Sequence, residues 1–426
     1  MRTVFLLFFV AATANACAQK QNGIINAREV KRIETILASD DMRGRRAGTP
    51  DIDKAANFIS SEFKKAGLQP LKGNSFLQGF SMMRPQLTNL KAEIDGKEIS
   101  ARDIIVNTFD EEIKIDEKSG YEIQYIKPGE TLRLRLEQIQ DAKKNMLVFV
   151  DTSFSRSFPR LAAFNGQAFV AEGEEHNTIV YILGDYRPKE FKIKAEHLLN
   201  ETKYANVVGV LPGKTKKNEY IIFSAHYDHL GIARQPVNGD SIYNGANDDA
   251  AGTTAVIMLA GYFKKINNNE RTLVFAAFTA EEMGGFGSQY FSKQFDPAQV
   301  VAMFNIEMIG TESKWGKNSA YITGFDKTNM GQILQNNLKG SAFRFYPDPY
   351  PTENLFYRSD NATLAELGVP AHTISTAKMD GEPNYHRVSD EVSSLDLNNM
   401  AEIIKAIAVS SKTIVSGKDT PARVQH

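Results

Sequence analysis

Thiols are almost missing from this chain. Cys17 is the only cysteine in 426 residues, so no internal disulfide can close, and any metal site must be built from nitrogen and oxygen donors. A surplus of charge is missing too: 50 Lys and Arg stand against 51 Asp and Glu, a net charge of −1. That balance removes the electrostatic footprint of a surface that holds DNA, RNA or an anionic membrane. Internal repeats and low-complexity tracts are also absent, which excludes solenoid and fibrous architectures. What remains, 42% hydrophobic and 24% charged residues, is the composition of a globular protein. At this length the chain outgrows a single core, and one large domain with an insertion, or two domains, is expected.

One long uncharged run opens the sequence. Arg2 precedes the apolar residues Val4 to Ala12, and Ala14-Asn15-Ala16 stands before Cys17. This is the pattern of a secretory signal peptide over residues 1–18, and it predicts export. As a membrane span the run is at the short limit and turns small and polar at its end. Cys17 after Ala16 resembles the lipidated cysteine of bacterial lipoproteins, although that pattern prefers Leu where Ala14 stands. Cleavage after Ala16 or Ala18 without lipid is the alternative. The expected location is periplasmic or membrane-tethered through such a lipid, and otherwise secreted.

Past the leader, Ile52, Ala55, Ala56, Ile59, Phe63 and Ala66 fall on one face of a helix that starts at Thr49-Pro50 and stops at Gly67. From Leu87 to Glu201 the texture changes to short apolar runs, Ile104 to Val106, Met146 to Val150 and Ile179 to Leu183, with a hairpin signal at Asp95-Gly96. After Pro212-Gly213, strand-like runs (Tyr220 to Ala225, Leu273 to Thr279, Val301 to Ile306) alternate with helical ones (Ala250 to Phe263, a stretch after Met283). Leu364 to Ile374 adds a helix and a strand, and Leu395 to Val409 a last helix. Alternation of this kind predicts an α/β fold with a mixed, mostly parallel sheet flanked by helices. The expected boundaries are 27–86 for the first part of the main domain, 87–201 for a β-rich insertion, 202–414 for the rest and 415–426 for a flexible tail.

Rare polar residues stand where the apolar strands end. Tyr220 to Ala225 runs into His226-Tyr227-Asp228, Leu273 to Thr279 into Glu281-Glu282, and Val301 to Ile306 into Glu307. Ligands of open α/β sheets bind outside the carboxyl ends of strands, so these residues can converge on one crevice. Asp248-Asp249 opens a helix, and His386 lies in a polar loop. Imidazole and carboxylate suit zinc where thiols are lacking. His226, Asp248, Glu282, Glu307 and His386 suffice for two ions if one carboxylate bridges. Residues i and i+2 of an extended chain point the same way, so Asp228 can fix the His226 tautomer. Glu281 and Glu282 cannot both point inward. One can ligate while the other moves a proton. Each residue taken singly has a plainer reading, Asp248-Asp249 as a capping pair and Glu281-Glu282 as a solvated helix start. Their joint arrangement in consecutive α/β units favours a site.

The motifs resemble a known family. His226-Tyr227-Asp228-His229-Leu230-Gly231, Tyr243 to Gly252, Phe278 to Glu282, Asn305 to Gly310 and Tyr385-His386, together with Leu37 to Arg45, resemble the secreted dizinc aminopeptidases. That family also holds glutamate carboxypeptidase II, the glutaminyl cyclases and the non-enzymatic transferrin receptor. The resemblance implies a zinc exopeptidase-like fold, two zinc ions, and a peptide or small-protein substrate with a free N-terminus. It implies that Asp248 bridges the ions, that His226 and Glu307 complete one site, and that Glu282 and His386 complete the other. Glu281 would be the general base, Asp228 the residue orienting His226, and Tyr385 a group steadying the oxyanion. Glu307 departs from the family, which usually has Asp there. Asn361 stands where a related segment, Arg358 to Asn361, often ends in His, and Ser359 is expected to cap the next helix. His229 and His372 are expected to be structural. Residues 87–201 occupy the place of the protease-associated insert of larger relatives without a residue match to it.

Three other readings compete. A glutaminyl cyclase-like acyltransferase needs one ion and not His226. A carboxypeptidase needs a cation for the substrate carboxylate, and Arg344 or Arg358 could supply it. A metal-free binding module would have lost ligands, and all five positions are filled.

Overall fold

Runs of consecutive apolar residues become strands buried on both faces, which only a sheet covered by helices on each side allows. The computed structural model of the protein describes residues 23–165, 170–171 and 176–425. The leader expected over 1–18, with Cys17, lies outside them. No helix among the described residues is long and apolar enough to cross a membrane. The chain divides into two units, one of residues 80–203 and the other of the residues on either side.

In the larger unit the elements are α1 (Ala27–Leu37), α2 (Pro50–Ala66), β1 (Phe191–Leu211, which enters this unit at Tyr204), β2 (Lys216–His226), α3 (Ala251–Ile266), β3 (Arg271–Phe278), α4 (Phe286–Ser292), β4 (Val300–Ile306), β5 (Ser319–Ile322), α5 (Met330–Asn337), β6 (Arg344–Pro347), α6 (Ala362–Ala365), β7 (Ala371–Ser375) and α7 (Leu397–Ser410). The sheet runs β6-β5-β7-β4-β2-β3-β1. Strands β3, β2, β4 and β7 are parallel, whereas β1 and β5 run antiparallel to their inner neighbours. The fold is the mixed, mostly parallel α/β sheet that the alternating pattern predicts.

Side chains alternate across the strands. Phe223, Phe275 and Phe304 stack on one face, where Phe223 lies 4.8–5.6 Å from the rings of Phe304, Phe275 and Phe263 of α3. Their sequence neighbours Ile222, Val274 and Met303 pack on the other face with Phe291 of α4 and Leu364 of α6. The register pairs His226 with Phe278 and Ser224 with Asn305. The three strands therefore end level, and the polar residues after them emerge at one edge.

Residues 415–425 correct an expectation. They are not a loose tail: Arg423 donates to the Val300 carbonyl at 2.8 Å, Val424 N to Gly368 O at 3.0 Å, and the buried Arg271 to Asp419 O at 2.6 Å. Val424 joins the apolar cluster under β4. Lys, Asp and Arg in this stretch suggest solvent by composition, but its backbone satisfies groups that would otherwise be buried unpaired.

The smaller unit contains a four-stranded sheet in the order Ile104–Asn107, Ile179–Leu183, Met146–Val150, Glu122–Ile126, the last three parallel. The hairpin at Asp95-Gly96 is present, pairing Ile94 with Lys97. Two helices, Leu132–Asp141 and Phe158–Asn165, add to the strands that the pattern suggests.

His372 is structural, as expected. It is fully buried in β7, its Nδ1–H donates to Thr323 O at 2.8 Å, and its Nε2 meets the Thr328 hydroxyl at 2.8 Å. Burial pushes its pKa down to about 4. The unfolded imidazole titrates near 6.5, so the unfolded chain binds the extra proton between these values. This contribution is complete above pH 6.5 and is lost as pH falls toward 4, about 3 kcal/mol in all. Unfolding midpoints across that range are expected to show a shallower pH slope for His372→Gln than for the parent. Equal slopes would refute the assignment.

Candidate metal centre

Each predicted ligand is delivered by a different element. His226 is the last residue of β2, and Glu307 follows β4 directly. Glu281 and Glu282 come just after β3, and Asp248 sits in the turn Ala246–Ala250 that leads into α3. His386 comes from the loop between β7 and α7. The turn lies close against the sheet because Gly252 has no side chain: a Cβ there would fall 2.1 Å from the Ile306 carbonyl oxygen. Three residues without that freedom, Ala280, Met308 and His386, nonetheless adopt left-handed backbone, with φ of 58°, 52° and 54°. Each costs about 1–2 kcal/mol, and each stands at or next to a proposed ligand or base.

The side chains converge. His226 Nε2 lies 3.2 Å from Asp248 Oδ1 and 3.9 Å from Glu281 Oε2. His386 Nε2 lies 3.3 Å from Asp248 Oδ2 and 3.1 Å from Glu282 Oε2. One atom each from His226, Asp248 and Glu307 fall within 4.8 Å of one another, and so do atoms from His229, Asp248 and Glu282. Asp248 belongs to both groups. The Tyr385 ring stacks on that of His386 at 4.0 Å.

The structure changes several expectations. His229, read as structural, sits inside the second group, 2.7 Å from Glu282 Oε1. Asp228 does lie beside His226, but its backbone carbonyl meets Nδ1 at 3.1 Å while its carboxylate stays 3.8 Å away. That carboxylate accepts the Glu281 backbone N–H at 3.1 Å instead. Ser359 does not cap a helix; its hydroxyl donates to Glu307 Oε2. Asn361 ties α6 to β7 through Phe356 O, Ala371 O and Thr373 Oγ1. Arg358 borders the crevice but pairs with Glu353 at 3.2 Å, and Arg344 lies on the edge strand β6.

Other residues hold the site, of which the sequence pattern gave Asp249 only as a helix cap and Arg45 only as the end of a motif, and Asp390 not at all. Asp390 accepts the N–H groups of Asn247 and Asp248 at 2.8 and 3.0 Å. Arg45, fully buried, donates to the carbonyls of Leu37, Tyr227, Asn244 and Gly245 at 2.6–2.9 Å. It thereby joins the His226 loop to the Asp248 turn. Asp249 accepts from Gly252 N and Met308 N, a cap and a strand-end brace in one.

Burial opposes charge on His226, but Glu281, Asp248 and Asp249 outweigh it and hold the imidazole well above its ordinary value. Bonds to Asp248 and Glu282 raise His386 to about 10. Asp248 is held well below the usual carboxylate range by His226 and His386, despite its burial. Burial pushes Glu307 and Asp228 up to about 7 and Glu281 well above its ordinary value. Carboxylates thus outnumber the cations that could neutralise them. His226 Nε2 and His229 Nε2 are buried without an aligned hydrogen-bond partner, as are Asp228 Oδ2 and Asp249 Oδ2. The His226 Nε2, aimed between the Asp248 and Glu281 carboxylates, fits a divalent cation, and the nitrogen-oxygen donor set suits zinc.

Asp390→Ala leaves two buried amides unpaired and frees Asp248. Zinc affinity, measured against a chromogenic chelator, is expected to fall about 10–100-fold, with Asp390→Asn in between. An unchanged affinity would mean that Asp248 keeps its place without these bonds.

Residues 206–411 match the description of Peptidase family M28. A probable leucine aminopeptidase of Trichophyton verrucosum is 27% identical over 223 residues, 50% of this chain and 57% of that protein. The chain spans about half the length of the curated relatives it matches. Among solved structures, a zinc aminopeptidase from Bacillus subtilis superposes with a TM-score of 0.55 at 16% identity, over 93% of this chain and 97% of its own. The glutaminyl cyclase of Bacteroides thetaiotaomicron, bound to N-acetylhistamine, superposes with a TM-score of 0.50 at 12% identity, over 93% of this chain and 99% of its own. These likenesses establish a shared fold. The match from Asn206 to Ser411 opens as the chain joins the sheet and takes in every proposed ligand, and over that stretch the chain is similar to peptidase family M28.

Proposed function

We propose that the protein is a zinc-dependent metallopeptidase with a dinuclear site, and that it acts as an aminopeptidase. The observation that carries the first part is the sharing of Asp248 between two groups of ligand atoms. His226 and Glu307 flank one position, and Glu282 with His229 the other; His386, 3.1 Å from Glu282 Oε2 and 3.3 Å from Asp248 Oδ2, is the further ligand we assign there. Zinc, when bound, supplies Lewis-acid polarisation of the scissile carbonyl.

The remaining work falls to the chain. Glu281 faces the crevice partly exposed, with its backbone N–H fixed by Asp228. Its raised pKa makes it fit to take a proton from water and hand it to the departing amine. Tyr385, stacked on His386 and 41% exposed, keeps its proton because burial and the neighbouring carboxylates raise its pKa. It can donate that hydrogen to the developing oxyanion. His229 holds Glu282 from behind.

Charge and space support the N-terminal trimming we propose. The crevice is rich in carboxylates, which attract an ammonium group, and beside Glu307 and Tyr385 lies a small cavity of about 60 Å³. That is room for roughly four waters, or one side chain, and not for a continuing chain.

A panel of aminoacyl chromogenic substrates beside their N-acetylated forms is expected to show turnover of the free amines only, and Glu281→Gln should lose about 10²–10⁴-fold in kcat. Equal rates on blocked substrates would sink the aminopeptidase reading, and an active Glu281→Gln would sink the mechanism. Cyclisation of N-terminal Gln by a preparation with one ion per chain would favour the acyltransferase instead.

A further inference from the structure

Glu34 is a buried acid whose oxygens are left unpaired. It lies on α1, fully buried, and neither carboxyl oxygen has an aligned hydrogen-bond partner. Against that helix pack α3, α7 and the turn Ala246–Ala250. The side chains that α3 and α7 bury are uncharged, and the turn carries Asp248 and Asp249. Elsewhere on α1 the partly exposed Arg32 pairs with Glu29 and with Glu62 of α2, both at 2.7 Å. The groups that act on the Glu34 carboxyl are the Thr254 hydroxyl of α3, itself without an aligned partner, Arg45 and Asp390.

A carboxylate in such a place, buried and without donors, costs several kcal/mol as an anion. Burial pushes the pKa of Glu34 up to about 8, against the pull of the Thr254 hydroxyl and Arg45. Arg45 is not free to move closer. Its guanidinium is spent on the carbonyls of Leu37, Tyr227, Asn244 and Gly245. Burial opposes its charge, and the carboxylates that sustain that charge are Glu34 first, then Asp390, Asp228 and Asp248.

One fixed cation is thus shared between Glu34 and the carboxylates around the metal centre. While those carboxylates lack a partner, they offset the field of Arg45 and add to the cost of a further anion. Once a divalent cation balances them, that field is left to Glu34, and its charged form is favoured. We propose that Glu34 is a proton-linked counter-charge of the metal centre, a neutral acid in the metal-free chain that ionises and releases its proton to solvent when zinc binds. This inference rests on the reading of the crevice as a zinc site.

Zinc affinity and proton release, measured on the full chain and on its Glu34→Gln variant, test it. Zinc is titrated against a chromogenic chelator at several values from about pH 5 to 9, and the released protons are counted with an indicator dye in weak buffer. Glutamine copies the neutral acid and has no proton to lose. A proton released on binding makes affinity rise with pH, about tenfold for each unit by which zinc lowers the Glu34 pKa, and the rise levels off above about pH 8. The two proteins are expected to bind zinc alike at the acid end. Near pH 7 the parent is expected to release about one proton more per chain, and at pH 8 to bind at least about tenfold more tightly. Parallel affinity curves with equal proton counts, displaced or not, overturn the proposal and leave the zinc reading in place. A Glu34→Gln chain that fails to fold without zinc overturns it too, because the anion would then be needed there. No zinc uptake by the parent overturns the zinc reading and the inference with it.

Discussion

Uncompensated negative charge at the end of a parallel sheet is the constraint around which this molecule is arranged. Asp228, Asp248, Asp249, Glu281, Glu282, Glu307 and Asp360 are gathered there with little access to water. The imidazoles of His226, His229 and His386 are too few to neutralise them. Burying ionised groups without partners costs several kcal/mol each, and burial accordingly drives Glu307, Asp228 and Glu281 toward their protonated forms. A chain selected only for stability would replace such a cluster with apolar residues. A divalent cation reverses the balance, because Asp248, Glu282 and Glu307 then become donors and their charge is compensated.

Much of the surrounding structure keeps those donors in place. Backbone amides are spent on Asp390 and Asp249, and a buried guanidinium, Arg45, is spent entirely on carbonyls. Left-handed residues at Ala280, Met308 and His386 hold the loops at angles that ordinary turns do not provide. None of these devices improves packing. The stack of Phe223, Phe263, Phe275 and Phe304 below the strand ends does that, and it supplies the rigid platform that can bear the local strain.

The difference between stabilising and positioning residues explains what could be read in the sequence. Strands β2, β3 and β4 were legible because burial on both faces forces unbroken apolar runs, and the polar residues that end them stand out against that background. Asp390 gave no such signal: it lies 142 residues from Asp248, and only the folded chain brings them together. His229, expected to be structural, meets Glu282 at 2.7 Å, and a second imidazole beside a ligand motif looks the same in sequence whether it packs or faces the crevice. Leu132-Arg133-Leu134-Arg135-Leu136 shows the opposite problem. Its period of two is a strand pattern, yet the segment is helical, with Leu132, Leu136 and Ile139 against the core of the smaller unit and Leu134 55% exposed.

Glu307 shows how a local departure is absorbed. A glutamate where the resemblance leads to the expectation of aspartate adds a methylene and a rotatable bond, and by itself this would loosen the carboxylate. Here Ser359 donates to its Oε2. Ser359 in turn accepts from Asn305 Nδ2 at 2.8 Å, and Asn305 Oδ1 accepts from Ser224 at 2.7 Å. Both Ser224 and Asn305 are buried and lie side by side in neighbouring strands. The extra reach of the side chain is therefore anchored through three hydrogen bonds to the sheet itself, and the longer residue brings an oxygen to His226 and Asp248 without giving up direction.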